Sequence, residues 1–160
     1  MIQLLIQSKA YRYVEFANIQ QMVLESNSKF IPVPSSRAEL FCSKHVSLLE
    51  KRKMMNFINQ VPNIEDKEDN VTFDALMSEY KLSPKLKSFI ANALCFCPIE
   101  EASAKYGLEQ LKRFILSLGK YAATSSFLVP QYGTGELCQA FCRMAAVFGG
   151  TVMLMANIDR

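Results

Sequence analysis

Apolar residues recur at three- and four-residue steps in the stretch SAKYGLEQLKRFILSLGKY. The positions with this helical spacing are Leu108, Leu111, Ile115 and Leu118. Side chains three and four residues apart share one face of an α-helix, and glycine often follows a helix end. The pattern therefore predicts an amphipathic helix that ends at Gly119.

Serine residues mark the starts of two more predicted helices. Ser47 precedes LLEKRKMMNFIN, and Glu50 follows it three residues later, which is the capping-box pattern. Ser83 precedes Pro84, and proline at the first helical position loses no hydrogen bond. A helix is therefore predicted over KLKSFIANALCF as well.

The helix after Ser47 is amphipathic, and its charged side EKRK is expected to face solvent. Its apolar side is expected to contain Leu48, Leu49, Met55, Phe57 and Ile58. Just before it, Ser35 or Ser36 is expected to cap a short helix over RAELF.

The two ends of the chain have β character. Residues 1–34 predict a short helix followed by strands over YVEFANIQQMVLES and KFIPVP, because alternating and β-branched apolar residues are bounded there by Asn and Ser. Residues 126–160 predict a strand over FLVP, a glycine turn, a helix from Glu136 to Phe148 and a strand over TVMLMA. The acidic run NIEDKEDN is expected to be a solvated linker.

This order of elements predicts an α+β fold that is predominantly helical. Edge strands at 1–34 and a return strand, glycine turn and helix at 126–160 bracket a helical domain at 35–125. Such an arrangement favours a helical insertion between strands of another domain, because the ends of an inserted domain lie close together. Three or four strands do not form a stable sheet without neighbours, so the chain is expected to be an internal part of a longer protein.

Composition excludes several classes of protein. Half of the 160 residues are apolar, which is enough for a buried core. The net charge of +3 and the scattered Lys and Arg residues argue against nucleic acid as a partner. The longest apolar windows, FIANALCFCP and TVMLMA, are shorter than the ~20 residues of a membrane span, so no transmembrane segment is predicted.

The cysteine pattern predicts no metal site. The five cysteines are Cys42, Cys95, Cys97, Cys138 and Cys142, and His45 is the only histidine. These spacings do not match the paired ligands of a structural zinc site, and buried free thiols are the alternative. The odd number, with no secretory signal, predicts a reducing, cytosolic compartment.

The stretch Gly133-Thr134-Gly135 could cradle a phosphate or could be a structural turn. A dinucleotide site needs a third glycine, and Glu136 lies where an anion would bind at the start of the helix. We therefore interpret it as a strand-to-helix turn in which Gly135 adopts left-handed backbone, with no cofactor. Cys42 and His45 lack a third group that would orient the base, so a binding protein is favoured over an enzyme.

Four motifs lie between residues 11 and 150: YRYVEFANI, VPSSRAELFCSKHVSLLEKRKMMNF, LSPKLKSFIANAL and GKYAATSSFLVPQYGTGELCQAFCRMAAVFGG. In this order they resemble the Rab escort protein family, in the superfamily that it shares with Rab GDP dissociation inhibitors. SSRAELF and CRMAAVFGG are similar to the escort branch and differ from the corresponding segments of the inhibitors. The resemblance implies a helical second domain flanked by parts of an FAD-oxidoreductase-like first domain that uses no flavin for chemistry.

The resemblance also implies a function. An escort protein is not itself an enzyme: it binds GDP-bound Rab GTPases, presents them to Rab geranylgeranyl transferase and holds the geranylgeranylated product. It is cytosolic and associates transiently with membranes through prenylated Rab. The alternatives are a Rab GDP dissociation inhibitor that recycles prenylated Rab, or a flavin-dependent amine-oxidase-like enzyme of the same architecture.

Two sets of binding residues follow from the resemblance. Phe41 and Arg52 match a Phe and an Arg that contact the transferase α-subunit; alternatively, Phe41 closes the core and Arg52 belongs to a solvated face. The second set could line a groove for the prenyl chain, because Met adapts its shape, or could simply form core. Its members are Met54, Met55, Phe57, Phe89, Ile90 and Phe114.

Overall fold

The computed structural model describes residues 1–26, 28–64, 71–99, 101–120 and 126–156. The chain forms two compact units. Met1–Asn18 and Leu128–Arg160 make up the first unit, and Ile19–Phe127 make up the helical unit. The expected linker NIEDKEDN lies outside the described residues from residue 65 onward, and so does the predicted domain end at residue 125.

The structure confirms the α+β class with helices predominating. The strands are β1 (Phe16–Asn18), β2 (Met22–Ser26), β3 (Lys29–Val33) and β4 (Leu128–Pro130). The α-helices are α1 (Ile2–Ser8), α2 (Arg37–Cys42), α3 (Leu48–Gln60), α4 (Phe73–Glu79), α5 (Pro84–Ser88), α6 (Ala104–Ser117) and α7 (Gly135–Val147). Short 3-10 helices cover Ala10–Tyr13 and Val61–Asn63, and a π-helix over Phe89–Cys95 directly continues α5. None of the described helices is long and apolar enough to cross a membrane.

The first unit is built around one small sheet and α7. Strands β1 and β4 pair antiparallel, with Phe16 opposite Pro130. A small core of Leu5, Ala10, Val14 and Ala140 joins α1, the 3-10 helix and α7. The strand predicted over TVMLMA is absent: residues 151–156 are exposed and pair with no strand among the described residues. Backbone groups without a strand partner remain hydrated, so apolar character alone does not produce a strand.

The hairpin of β2 and β3 belongs to the helical unit, whereas the sequence grouped all strands before residue 35 with the first segment. Val33 is buried in the core of the helical unit, and Met22, Leu24 and Ile31 pack against that core. The reason is the alternation of side chains along a strand, which directs one apolar face of the hairpin towards the helices.

Helix starts in the helical unit agree with the predicted caps. The side chains of Ser36, Ser47 and Ser83 each accept a hydrogen bond from the backbone N–H three residues later. The capping box is also complete, since the Glu50 carboxylate accepts from the Ser47 N–H at 3.0 Å. Glu50 further accepts a 2.7 Å hydrogen bond from the Ser83 hydroxyl, which ties the start of α3 to the start of α5.

We predict that Glu50→Gln destabilises the chain at pH 7 by about 1–2 kcal/mol, because a neutral amide with one acceptor oxygen replaces a charged carboxylate whose two oxygens both accept hydrogen bonds. The hydrogen bond from Ser83, followed by that from the Ser47 backbone, lowers the pKa of Glu50 below its ordinary value of 4.5. A carboxylate whose pKa is lower in the folded than in the unfolded state stabilises the fold fully above the unfolded-state pKa. This stabilisation is lost as pH falls through the folded-state pKa. The gap between the parent and Glu50→Gln should therefore narrow in acid.

Urea unfolding at pH 7 and at about pH 3 measures this gap. Glu25→Gln, at an exposed position on β2, is the matched control and should change stability little at either pH. A gap of the same size at both pH values would show that the charge of Glu50 does not stabilise the fold.

Candidate functional site

Phe41 lies in the last turn of α2 with its side chain exposed. Its exposed fraction is 65 %, so Phe41 does not close the core. Its neighbour Leu40, in contrast, is buried at 2 %. A large aromatic side chain left in water at the end of a short helix is a candidate anchor for a partner protein.

The first turn of α3 presents a different face from the one that the sequence predicted. Leu48 and Leu49 were expected on the buried side, but they are 77 % and 70 % exposed. At about 100° per residue, both lie more than about 100° around the helix from buried Met54. They flank Arg52, which is also exposed. The outward face of this turn therefore combines two leucines with an arginine.

Lys51, also on α3, lies in a different environment from the one that the sequence predicted. It was expected on the solvated side, yet it is only 9 % exposed, and its Nζ donates a 2.7 Å hydrogen bond to the carbonyl oxygen of Phe41. Its aliphatic stem can lie against apolar side chains while the ammonium reaches the carbonyl end of α2. We call Phe41, Leu48, Leu49 and Arg52 the docking surface; the Lys51 hydrogen bond links its two helices.

An apolar cavity of about 200 Å³ lies between α2, α3 and α6. The apolar side chains that line it are Pro34, Leu40, Met54, Met55, Ile58, Leu94, Leu111, Phe114, Ile115 and Leu118. Three of the predicted groove residues, Met54, Met55 and Phe114, are among them. The other three, Phe57, Phe89 and Ile90, are buried in the core and do not line this cavity.

An open cleft of about 380 Å³ lies on the helical unit beside Cys42 and His45. Among the described residues, no hydrogen bond joins the Cys42 thiol to the His45 imidazole, and both residues are exposed. The backbone carbonyl of His45, and not its imidazole, accepts a 2.6 Å hydrogen bond from the Lys85 ammonium. The Cys42 thiol and the His45 imidazole are therefore not placed as a nucleophile and its base.

The cysteines are free thiols, of which Cys95 and Cys97 are buried. Burial is the main cause that raises the pKa of both thiols, so these two are protonated at neutral pH. Within the described ranges, no three His, Cys, Asp or Glu residues are grouped as metal ligands.

The glycine turn precedes α7, as predicted, but its left-handed residue is Gly133 and not Gly135. Gly133 has a φ of 101°, whereas Gly135 begins the helix without a positive φ. The tight turn is completed at Gly133, before the helix starts, so the positive φ falls there and not at Gly135. The Glu136 carboxylate accepts a 3.2 Å hydrogen bond from the Tyr132 N–H, so it occupies the helix start itself.

We predict that Gly133→Val destabilises the first unit by about 1 kcal/mol or more, since a β-branched residue is strained at this φ. Gly135→Ala is the control: a Cβ there meets nothing within 4 Å, and stability should stay unchanged or rise. Thermal unfolding compares the two variants.

Flavin or nucleotide should leave the parent's melting temperature unchanged, and a saturable increase would contradict the structural interpretation of the turn.

Comparisons with known proteins agree with the resemblance that the motifs indicate. The whole chain, residues 1–160, matches the family model described as GDP dissociation inhibitor. It is 37% identical over 165 residues to Rab proteins geranylgeranyltransferase component A 1 of Rattus norvegicus, covering 99% of this chain and 25% of that protein. It is 35% identical over 167 residues to the component A of Drosophila melanogaster, covering 99% and 32% respectively.

The fold has a solved counterpart. The crystal structure of the Rab GDI of Plasmodium falciparum matches 91% of this chain and 38% of that chain, with a TM-score of 0.70 and 21% sequence identity. At that identity, the match shows a shared fold. The chain spans about a quarter to two fifths of the length of these three proteins. The family match over its full length shows that this chain belongs to the GDP dissociation inhibitor family.

Proposed function

We propose that the protein containing this chain is a Rab escort protein. It binds GDP-bound Rab GTPases, presents them to Rab geranylgeranyl transferase and holds the geranylgeranylated product, without catalytic residues of its own. Within it, the helical unit supplies the transferase contact and the lipid site, and the first unit is part of an FAD-oxidoreductase-like domain. The protein works in the cytosol and reaches membranes transiently with its prenylated Rab.

The observation that carries this proposal is the exposed Phe41 next to the first turn of α3. Aromatic residues and arginine dominate the energetic centres of protein interfaces, and Phe41 and Arg52 are both available to a partner. Leu48 and Leu49 add exposed apolar area beside Arg52. The transferase α-subunit is the proposed occupant of this docking surface.

The apolar cavity is the proposed site of the prenyl chain. A twenty-carbon chain in water costs on the order of 10 kcal/mol or more, at ~0.8 kcal/mol per buried carbon, so a carrier needs an apolar site for it. The cavity of about 200 Å³ is smaller than the ~300–1,000 Å³ of typical small-molecule sites. It therefore has to widen, and the flexible side chains of Met54 and Met55 in its wall allow this without a large packing cost.

A prenylation assay tests the function. Transferase, GDP-bound Rab and geranylgeranyl diphosphate are mixed with the full-length protein, and transfer of the labelled prenyl group to Rab is measured. We expect transfer to depend on the full-length protein. If it extracts prenylated Rab from membranes but does not support transfer, the dissociation-inhibitor alternative is correct. A flavin absorption spectrum in the purified protein would favour the oxidase-like alternative.

The lipid site gives a separate prediction. Met55→Trp should fill the cavity from its partly exposed wall and weaken binding of geranylgeranylated Rab about tenfold or more, since the chain loses buried area. Binding of unprenylated Rab should be unchanged. Met22→Trp, at a partly buried position that does not line the cavity, is the matched control. Equal loss of affinity for prenylated and unprenylated Rab would show that the cavity does not hold the lipid.

A further inference from the structure

Lys51 is the one lysine that is buried among the described residues, with 9 % of its surface exposed. Its ammonium makes a 2.7 Å hydrogen bond to the carbonyl oxygen of Phe41, and within the described part of the chain it forms no ion pair with a carboxylate. Lys53, two residues later on the same helix, is exposed. The chain therefore places the Lys51 charge against α2 and leaves the charges of Arg52 and Lys53 in water.

The acceptor of this hydrogen bond is a carbonyl at the end of a helix. The last carbonyls of α2 have no partner within the helix and carry the negative end of its dipole. A cation is the favoured partner at this position, and burial makes the hydrogen bond costly to lose, because either group would then be left unpaired. The backbone of Phe41 is consequently held at a fixed distance from α3.

The first turn of α3 is held from two sides by adjacent residues. Glu50 accepts a hydrogen bond from Ser83 at the start of α5, and Lys51 donates one to Phe41 at the end of α2. Arg52 follows directly and points outward. The relative position of the Phe41 and Arg52 backbones, from which both side chains project, is thus fixed before any partner binds, which reduces the entropy lost on binding.

We infer that Lys51 is a positioning residue for the docking surface: it makes no contact with the transferase and acts by holding Phe41 beside Leu48 and Arg52. This inference rests on the proposed function, since it takes the transferase as the partner of that surface. A merely structural role of Lys51 would lower stability alone. A positioning role predicts a loss of affinity that depends on the presence of the Phe41 ring.

The test is a double-mutant cycle in the full-length protein, with affinity for prenyl-loaded transferase as the readout. Lys51→Met keeps the apolar stem and removes the donor, and it should weaken binding about tenfold or more. In the Phe41→Ala background the same change should weaken binding less than about threefold, because no aromatic ring remains to be positioned. Lys51→Arg, which can still donate, should restore binding to within about threefold of the parent.

Lys53→Met is the matched control for the lost charge and should bind within about threefold of the parent. Binding of GDP-bound Rab, measured on the same samples, checks that each variant is folded. If Lys51→Met melts below the assay temperature, Lys51→Gln takes its place with the same expected loss, because its amide reaches one atom less far.

The outcomes separate the inference from the function on which it rests. Lys51→Met that binds transferase like the parent, or that weakens binding equally with and without the Phe41 ring, overturns the positioning role. Failure of Lys51→Arg to restore binding overturns it as well. If Phe41→Ala and Arg52→Ala both bind like the parent, the docking surface itself is wrong.

Discussion

Phe41→Ala will weaken binding of the full-length protein to prenyl-loaded Rab geranylgeranyl transferase by about 2 kcal/mol or more, roughly thirtyfold in Kd. The side chain is 65 % exposed, so its removal creates no cavity in the helical unit. The free energy of unfolding should change by only about 0.5 kcal/mol. A core phenylalanine lost to alanine would instead cost about 3–5 kcal/mol of stability.

Affinity and thermal unfolding are measured on the same variants. Arg52→Ala should weaken transferase binding as Phe41→Ala does, again with little change in stability. Phe30→Ala, at a phenylalanine that is 74 % exposed on β3, is the matched control for the aromatic change. Lys53→Ala is the control for the lost charge. Unfolding of the Phe41→Ala domain, or parent-like binding by both test variants, would favour the dissociation-inhibitor alternative.

Local sequence signals predicted the helix starts well. The caps at Ser36, Ser47 and Ser83 depend on a side chain and a backbone N–H only three residues apart, so the relevant atoms are neighbours in the sequence. The start of α7 has no side-chain cap, and it was predicted to within one residue from the glycine turn that precedes it. Local hydrogen bonding thus fixes where most of these helices begin.

The orientation of α3 was harder to predict, because it depends on contacts far along the chain. The stripe through Met54 and Phe57 extends back to Lys51, and a count of helical steps could have revealed this. Two adjacent leucines suggested an apolar face at the first turn instead. Only the position of α2 shows why a lysine is buried there: its partner, the Phe41 carbonyl, lies ten residues earlier.

The sequence also could not show which of the six predicted groove residues line the cavity. Met54 and Phe57 are both fully buried on α3, yet only Met54 lines the cavity. Periodicity identifies buried positions, whereas a cavity depends on where packing between helices is incomplete. The sequence pattern predicted a helix after α5 but not its π-helical turn, in which six of the seven residues are buried.

The second large effect concerns Gly107, which is buried inside α6 under the ring of Phe73. A Cβ built at Gly107 would lie 2.7 Å from Phe73 Cδ1 and closer still to Cγ, which no real Cβ tolerates. Phe73 is fully buried and its N–H donates to the Ala102 carbonyl at 2.9 Å, so the ring has little room to move. The glycine is therefore needed for the close approach of α4 and α6.

Gly107→Ala should destabilise the helical unit by about 2 kcal/mol or more, although alanine is the better helix former by about 1 kcal/mol. The melting temperature should fall by about 8 °C or more. Gly135→Ala, the same change at an uncrowded position in α7, should leave it unchanged or raise it. Phe73→Leu provides space near residue 107, so the double variant should be more stable than the sum of the two single losses predicts. If Gly107→Ala instead melts at or above the parent's temperature, the Phe73 ring can move aside and the close packing of α4 on α6 does not require glycine.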